Sequence, residues 1–316
     1  MFALEQRHWW YRALRRQILH ALTDFPILSM QGVAQGAGRG VRCPDADRGV
    51  GGPHADRGVR CLDAGCGTGM NLTTLNERFQ VFGLDISHLA LSLAAKRGLP
   101  HLAQGSVEAI PFESATMDLI ISADVLYHRG VSDDLGALRE MARCLRPGGL
   151  IVLNLPAFSW LRSRHDDVIH TARRYTRTEV ERKLRRAGLE PLRVRYWNWL
   201  LFLPLALIRI LRRMSPSARA ERCTETLRGQ APIPGGARSD LVALPAWINR
   251  AMDGLLALEA HLMALPIPAG LSIIAVARKG EKLSAIGDGG SARKRSNPAR
   301  VIRVEDMRAG KGAGRE

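Results

Sequence analysis

Three glycines at alternate positions follow an acidic residue in Leu62–Gly69, which reads Leu-Asp-Ala-Gly-Cys-Gly-Thr-Gly. Only glycine lets a backbone turn this tightly and still approach a ligand closely. Apolar residues before Asp63 predict a short buried strand, and 72–75 predicts the start of a helix. A strand, a glycine turn and a helix N-terminus together form a nucleotide site. Because the dinucleotide fingerprint G-x-G-x-x-G would need its third glycine at Met70, the spacing argues against NAD or FAD.

A second acidic residue stands at the end of the next predicted strand, Val81–Asp85, 22 residues after Asp63. A carboxylate at the end of the second strand of a doubly wound sheet lies beside the ribose and accepts both of its hydroxyls. Taken alone, Asp85 could equally be a solvated strand end or a helix cap. The glycine turn at the right distance upstream favours the nucleoside interpretation.

The glycine turn, Asp85 and three later segments follow one another in the order found in a known family. Together they resemble the class I S-adenosylmethionine-dependent methyltransferases with a type 11-like domain. The segments are similar to the family's adenine loop, its fourth strand and the turn into its fifth strand: Gln104–Phe112, Met117–Leu126 and Arg143–Val152. The resemblance covers about 59–155 by motif, and 1–28 and 156–279 more loosely. It implies an α/β fold: a doubly wound, Rossmann-like seven-stranded sheet with an antiparallel last strand, plus an N-terminal helix and helical insertions.

The resemblance also implies that S-adenosylmethionine is the cofactor. Asp63 and the loop glycines would hold its amino-acid end, Asp85 its ribose, and the backbone of Ala123 would lie near its methionine part. The residues that would bind the cofactor are Asp63, Gly65, Cys66, Gly67, Gly69, Asp85, Ile86, Ser106, Val107 and Ala123. The family often has aspartate in place of Ser106, and a hydroxyl accepts a hydrogen bond without charge assistance. We therefore expect weaker cofactor affinity here than in relatives with aspartate.

Methyl transfer from a sulfonium needs alignment and a dry pocket, and an oxygen acceptor must also lose a proton. Histidine performs that step most easily near neutral pH. His128, just beyond the fourth strand, and His165 are the candidate bases, although each could equally be a loop histidine without a catalytic role. A carbon or nitrogen acceptor could react without a base.

The polar stretch 158–178 begins at the carboxyl edge of the sheet, where open α/β sheets bind their ligands. Tyr127, Arg174 and Tyr175 are therefore candidates for the acceptor wall, and a solvated loop of mutually paired charges is the alternative. No third ligand stands at a suitable spacing from His165, so we expect no metal.

The chain carries 46 Lys and Arg against 30 Asp and Glu, a net charge of +16. The basic residues are spread along the chain without a recognisable nucleic-acid module, so we expect no specific nucleic-acid partner. In 197–213 tryptophans stand at one end and arginines at the other, and the uninterrupted uncharged run, 197–208, is only 12 residues long. That run is too short to span a bilayer. It suits either a helix at a membrane interface or a core or dimer contact.

Three near-copies of a nine-residue unit begin at Arg39, Arg48 and Arg57 and indicate a duplicated surface loop that we expect to be disordered. A Gly-, Ser-, Lys- and Arg-rich tail follows Gly280 and cannot bury enough apolar surface to fold. The predicted organisation has four parts: an N-terminal helix (1–28) that packs on the sheet or forms a lid, a repetitive loop (29–58), the methyltransferase domain (59–279, with an insertion at 156–270 near substrate or membrane), and a disordered basic tail (280–316).

Five cysteines without a CxxC pair indicate a reducing compartment, and no apolar signal segment opens the sequence. We expect a cytoplasmic methyltransferase that acts on a small or lipid-linked acceptor, either free in the cytoplasm or peripheral at the inner membrane surface. The alternative is a regulatory or scaffold protein that binds the cofactor without catalysis.

Overall fold

The computed structural model describes residues 4–23, 25, 58–162, 164–207, 245–262 and 267–280. The first two repeat units and the basic tail beyond Gly280, both predicted to be disordered, lie outside the described residues. Seven strands form one sheet: β1 (Arg60–Ala64), β2 (Gln80–Asp85), β3 (Leu102–Gln104), β4 (Met117–Ala123), β5 (Leu145–Pro156), β6 (Leu189–Trp197) and β7 (Ser272–Lys279).

The strand order is β3-β2-β1-β4-β5-β7-β6, and β7 runs antiparallel to both of its neighbours. The predicted seven-stranded sheet with an antiparallel last strand is therefore confirmed. The order reverses between β1 and β4, which creates a crevice at the carboxyl ends of these two strands. Asp63 pairs in register with Ile121, so the glycine turn after β1 and the residues after β4 meet at that crevice.

Helices cover both faces of the sheet. They are α1 (Leu4–Arg7), α2 (Trp9–Thr23), α3 (Met70–Leu75), α4 (His88–Ala95), α5 (Asp134–Cys144), α6 (Arg164–Val168), α7 (Arg177–Arg186) and α8 (Ala246–His261), with further helical residues at 202–207. One apolar layer contains buried residues of α5 and α7, and the other contains those of α2, α3, α4 and α8. Side-chain caps start several helices: the Thr176 hydroxyl, for example, accepts the Glu179 N–H at the start of α7.

Two predicted elements differ from the structure. The single N-terminal helix is divided at His8 into α1 and α2. Trp197, predicted to begin an amphipathic segment, ends strand β6 and is completely buried, because its indole donates to Asn154 Oδ1 at 2.8 Å and stacks on Trp10. Within the described residues, no helix is both long and apolar enough to cross a bilayer.

Candidate active site

The glycine turn after β1 has the backbone that its sequence predicts. Gly65, Gly67 and Gly69 have φ values of 92°, 54° and 80°, in the left-handed region that favours glycine. A Cβ on Gly65 would lie 2.2 Å from Val125 Cγ2, so the turn packs directly against the chain beyond β4. A Cβ on Gly67 would meet no described atom within 4 Å, so the turn faces open space at its centre. The loop can therefore bring its backbone against a ligand on that side.

Asp63 lies beneath this turn with no solvent exposure, and neither of its carboxylate oxygens has a hydrogen-bond partner among the described residues. Burial raises the pKa of Asp63 to about 7, and the charge of Asp85 adds to the rise. The Asn71 amide is near enough to oppose this rise without making a hydrogen bond of acceptable geometry. A buried carboxylate without donors is costly, and a cationic or hydrogen-bond-donating ligand would remove that cost.

Asp85 fixes the turn from the neighbouring strand. Its Oδ2 accepts the Gly67 N–H at 2.8 Å, and its Oδ1 accepts the Ser87 N–H at 2.8 Å. Each carboxylate oxygen has a second lone pair, so Asp85 can still accept hydrogen bonds from a pair of hydroxyls. Asp85 lies at the carboxyl end of β2, beside the turn, and its contact with a ribose stays a prediction.

Ile86 follows β2 directly, and Ser106 and Val107 follow β3, so all three lie at the same edge of the sheet as the glycine turn. Ile86 is 68% exposed directly after Asp85, whereas Val107 is buried. The Ser106 hydroxyl oxygen accepts the Glu108 N–H at 3.1 Å, so it already stabilises its own turn. An apolar side chain, a hydroxyl and backbone groups at the end of β3 suit a flat heteroaromatic ring. Ala123, the last residue of β4, is partly buried beside the glycine turn.

Cys66 is buried, and burial followed by the charges of Asp63 and Asp85 raises the pKa of its thiol well above the usual value. A thiol in this environment stays protonated and is a poor nucleophile. Cys66 therefore contributes shape to the turn: a Cβ on Gly83 would lie 2.9 Å from its sulfur. Among the described residues, no three His, Cys, Asp or Glu side chains are grouped as metal ligands.

Asp124 is a site residue that sequence reasoning missed. It follows β4 directly, is partly buried and has a φ of 62°, which is uncommon for a residue other than glycine. Its Oδ1 accepts the Asn154 Nδ2–H at 2.9 Å. Burial raises the pKa of Asp124 to about 6, against the opposing effects of Asn154 and the Trp10 indole. An acidic residue directly after β4, matching the acidic residues at the carboxyl ends of β1 and β2, was the signal available in the sequence.

The two histidines proposed as bases are differently placed. His128 is exposed, and its Nδ1 accepts the Gly130 N–H at 3.1 Å. Burial of part of the ring lowers the pKa of His128, and the charges of His170 and Arg129 lower it further. Because Nδ1 accepts a hydrogen bond, the proton of the neutral ring is on Nε2. The only ring lone pair, on Nδ1, is therefore already occupied. The side chain of His165 lies outside the described residues.

The residues predicted to form the acceptor wall are not all available to a ligand. Tyr175 is 2% exposed, and its hydroxyl lies 2.9 Å from Asp134 Oδ2 within the core. Arg174 places Nε and Nη2 at 2.8 Å from Asp166 Oδ1, and its Nη1 donates to the Ala157 carbonyl at 2.8 Å. These contacts hold the loop after β5 in place.

Tyr127 lies nearer the crevice. Burial raises the pKa of Tyr127 well above the usual value, and the charge of Asp124 and the neighbouring Tyr11 add to this effect. Tyr11 itself has a pKa raised to about 12 by burial, by Glu5 and by Asp124. Two tyrosine side chains, one from α2 and one from the segment after β4, therefore share the surroundings of the Asp124 carboxylate.

Comparison with known proteins shows which family the central part of the chain resembles. Residues 62–153 match the family model described as "Methyltransferase domain". Over 132 residues the chain is 33% identical to an uncharacterized 37.1 kDa protein in transposon TN4556 of Streptomyces fradiae, covering 39% of this chain and 37% of that protein. Over 107 residues it is 36% identical to the malonyl-[acyl-carrier protein] O-methyltransferase of Serratia marcescens, covering 33% of this chain and 41% of that enzyme.

The chain thus spans about two fifths of the length of these relatives. Among solved structures, phosphoethanolamine N-methyltransferase 2 of Haemonchus contortus in complex with S-adenosyl-L-methionine superposes with a TM-score of 0.44 at 18% identity, covering 71% of this chain and 49% of that one. The family match contains the glycine turn, Asp85 and Asp124, and the orphan Asp63 carboxylate fits the family's cationic cofactor. Through residues 62–153 the chain is similar to the class I S-adenosylmethionine-dependent methyltransferases.

Proposed function

We propose that this protein catalyses methyl transfer from S-adenosylmethionine to a small or lipid-linked acceptor whose reacting group carries a removable proton. The observation that carries the proposal is the buried Asp63 carboxylate, which makes no hydrogen bond of acceptable geometry within the described residues and lies under a glycine turn fixed by Asp85. Asp63 would hold the ammonium end of the cofactor and Asp85 its ribose hydroxyls. Ile86, Ser106 and Val107 would surround the adenine.

The bound cofactor supplies a methyl group on a positively charged sulfur, which an aligned nucleophile can displace. The chain must then orient the acceptor, exclude water and take its proton. Asp124 is the better candidate for the last step, because its carboxylate is held by Asn154 and Trp10 at the crevice whereas the only ring lone pair of His128 is occupied. The proton would pass to a carboxylate oxygen of Asp124 as the acceptor atom bonds to the methyl carbon.

Calorimetric titration of the purified full chain with S-adenosylmethionine tests the binding step. We expect a one-site isotherm for the wild type and no measurable heat for Gly67→Val, because a branched side chain is strained at a φ of 54° and would fill the open side of the turn. Absence of heat with the wild type would contradict the proposal.

Catalysis can be separated from binding with methyl-labelled cofactor and fractionated polar and lipid extracts. We expect Asp124→Asn to bind the cofactor and lose labelling of the extract. Asp118→Asn is the matched control, because Asp118 lies on the same strand at the opposite edge of the sheet and is paired with Arg146. Wild-type protein that binds the cofactor and labels no fraction would favour a role in binding without catalysis.

We further propose that a lipid-linked acceptor meets the protein at a membrane surface. Leu203 and Leu207, one helical turn apart, are 71% and 57% exposed, and Trp160 lies beside Phe202 with ring centroids 5.9 Å apart. These residues follow the carboxyl ends of β5 and β6, at the same edge of the sheet as the crevice. In flotation assays, anionic vesicles should bind the wild type better than the double variant Leu203→Ser/Leu207→Ser. Leu89 is an exposed leucine on α4, and the control variant Leu89→Ser should bind like the wild type.

A further inference from the structure

The carboxylate of Glu5, in the first helix, is buried against the glycine turn. Glu5 is 7% exposed, and its Oε2 accepts a hydrogen bond from the Thr68 hydroxyl. The Arg97 guanidinium lies 3.4 Å from the same oxygen, and both side chains of this ion pair are at least nine-tenths buried. A buried pair of this kind holds its geometry strongly, because the removal of one partner leaves a desolvated charge behind.

Arg97 and Glu5 hold Thr68 from two sides. The Arg97 Nε–H donates to the Thr68 carbonyl oxygen at 2.8 Å, while Glu5 accepts from the Thr68 hydroxyl. Thr68 stands between Gly67 and Gly69, whose backbones have little intrinsic stiffness. The position of the turn therefore depends on these external contacts and on the bond from the Gly67 N–H to Asp85.

The rest of the N-terminal region is anchored independently of the turn. Helix α2 buries Leu14, Ile18 and Leu22 in the core, and Arg12 and Arg16 form ion pairs with Asp253 of α8. Helix α1 is separated from α2 by the non-helical His8. Within the described residues, the polar contacts of α1 with the rest of the chain centre on Glu5 and include a hydrogen bond from Arg15 Nη1 to the Glu5 carbonyl at 3.2 Å.

We infer that α1 is part of the cofactor site and that Glu5 is a positioning residue, which couples the docking of residues 4–8 to the binding of the cofactor through Thr68. The inference rests on the proposed function. Coupling between two events is reciprocal: if a docked α1 strengthens cofactor binding, a bound cofactor must stabilise the docked α1 to the same degree. Helix α2 then serves as the fixed base, and only the short segment before it responds to the ligand.

Calorimetry with S-adenosylhomocysteine tests the first half of this coupling. We expect Glu5→Ala to weaken binding about tenfold, within the range usual for coupled sites. Glu5→Gln, which keeps an acceptor for the Thr68 hydroxyl, should restore part of the affinity. Asp253→Asn is the matched control, because it breaks the ion pairs of α2 without contacting the turn, and it should bind like the wild type.

Hydrogen exchange of the wild type tests the second half and does not depend on any variant being folded. We expect S-adenosylhomocysteine to slow amide exchange in residues 4–8 and to leave 14–22 unchanged. Wild-type affinity in Glu5→Ala, an equal loss in Asp253→Asn, or exchange in 4–8 that ignores the ligand would each overturn the inference. A wild type that binds no ligand at all would instead refute the proposed function.

Discussion

The affinity for the cofactor should depend on pH through the buried carboxylate of Asp63. Burial raises the pKa of Asp63 to about 7 in the ligand-free protein, so about half of the molecules carry a neutral Asp63 at that pH. Only the ionised form can pair with the ammonium group of the cofactor. Binding must therefore release a proton wherever the free protein holds one, and affinity rises with pH through this range.

The size of the effect follows from that pKa. At pH 6 about one tenth of the Asp63 side chains are ionised, and at pH 8 about nine tenths. The dissociation constant should therefore be about tenfold larger at pH 6 than at pH 8, or about 1.4 kcal/mol in binding free energy. Calorimetry in two buffers of different ionisation enthalpy measures the proton release directly, and that release should disappear above pH 8.

Asp63→Asn is the necessary comparison, because the α-amino group of the cofactor itself titrates at about 8. Asp63→Asn should bind the cofactor weakly, and its affinity should vary with pH only through the titration of the ligand. The difference between the pH profiles of wild type and variant therefore measures the titration of Asp63. A flat wild-type profile between pH 6 and 8, or an unchanged slope in Asp63→Asn, would refute the assignment of this carboxylate to the cofactor.

Stability without the cofactor should show the opposite trend. The folded-state pKa of Asp63 lies above the ordinary value of 3.8, so the contribution of Asp63 to stability is fully present below about pH 4 and is lost as the pH rises through 7. At 1.36 kcal/mol per pKa unit the loss is about 4 kcal/mol. Urea denaturation of wild type and Asp63→Asn at several pH values should show the two free energies of unfolding diverging by about that amount.

Three further outcomes are expected. In urea denaturation, Gly65→Ala should lower the free energy of unfolding roughly 1–3 kcal/mol more than Gly67→Ala. The reason is that only the Cβ added at position 65 meets a side chain, at 2.2 Å. Equal losses in the two variants would count against the packing of the turn. Ser106→Asp should tighten cofactor binding by calorimetry about fivefold, since a carboxylate accepts from an amino group with charge assistance, and no gain would exclude that contact. Tyr175→Phe should lower the free energy of unfolding, measured by thermal denaturation, by about 1–2 kcal/mol, because it removes a buried hydrogen bond to Asp134. Cofactor affinity should stay unchanged. A weaker affinity would show that Tyr175 contributes to the binding site.

The parts of the site that local sequence determines could be predicted. Alternate glycines require the left-handed backbone that Gly65, Gly67 and Gly69 adopt, and apolar runs that end in Asp63 and Asp85 place both carboxylates at one edge of a parallel sheet. These features depend on neighbours within a few residues. The fold class followed from the same strands together with the family resemblance.

What could not be predicted depends on partners far along the chain. Arg174 and Tyr175 have the residue types of a binding pocket, yet Asp166 and Asp134 engage them in structural contacts. Trp197 belongs to a run that periodicity alone cannot assign to a strand or a helix. The role of Asp124 becomes visible only when Trp10 and Asn154, from distant elements, meet its carboxylate.

The place of β7 in the sheet has a consequence for synthesis of the chain. Ser272–Lys279 is inserted between β5 and β6, which were both made earlier and have no direct pairing with each other. While the ribosome still holds this segment, β6 lacks its neighbour and β5 exposes an open edge, the kind of surface on which nascent chains aggregate. A premature stop codon shortly before residue 272 should therefore yield insoluble protein, although every residue of the cofactor crevice would already have been translated.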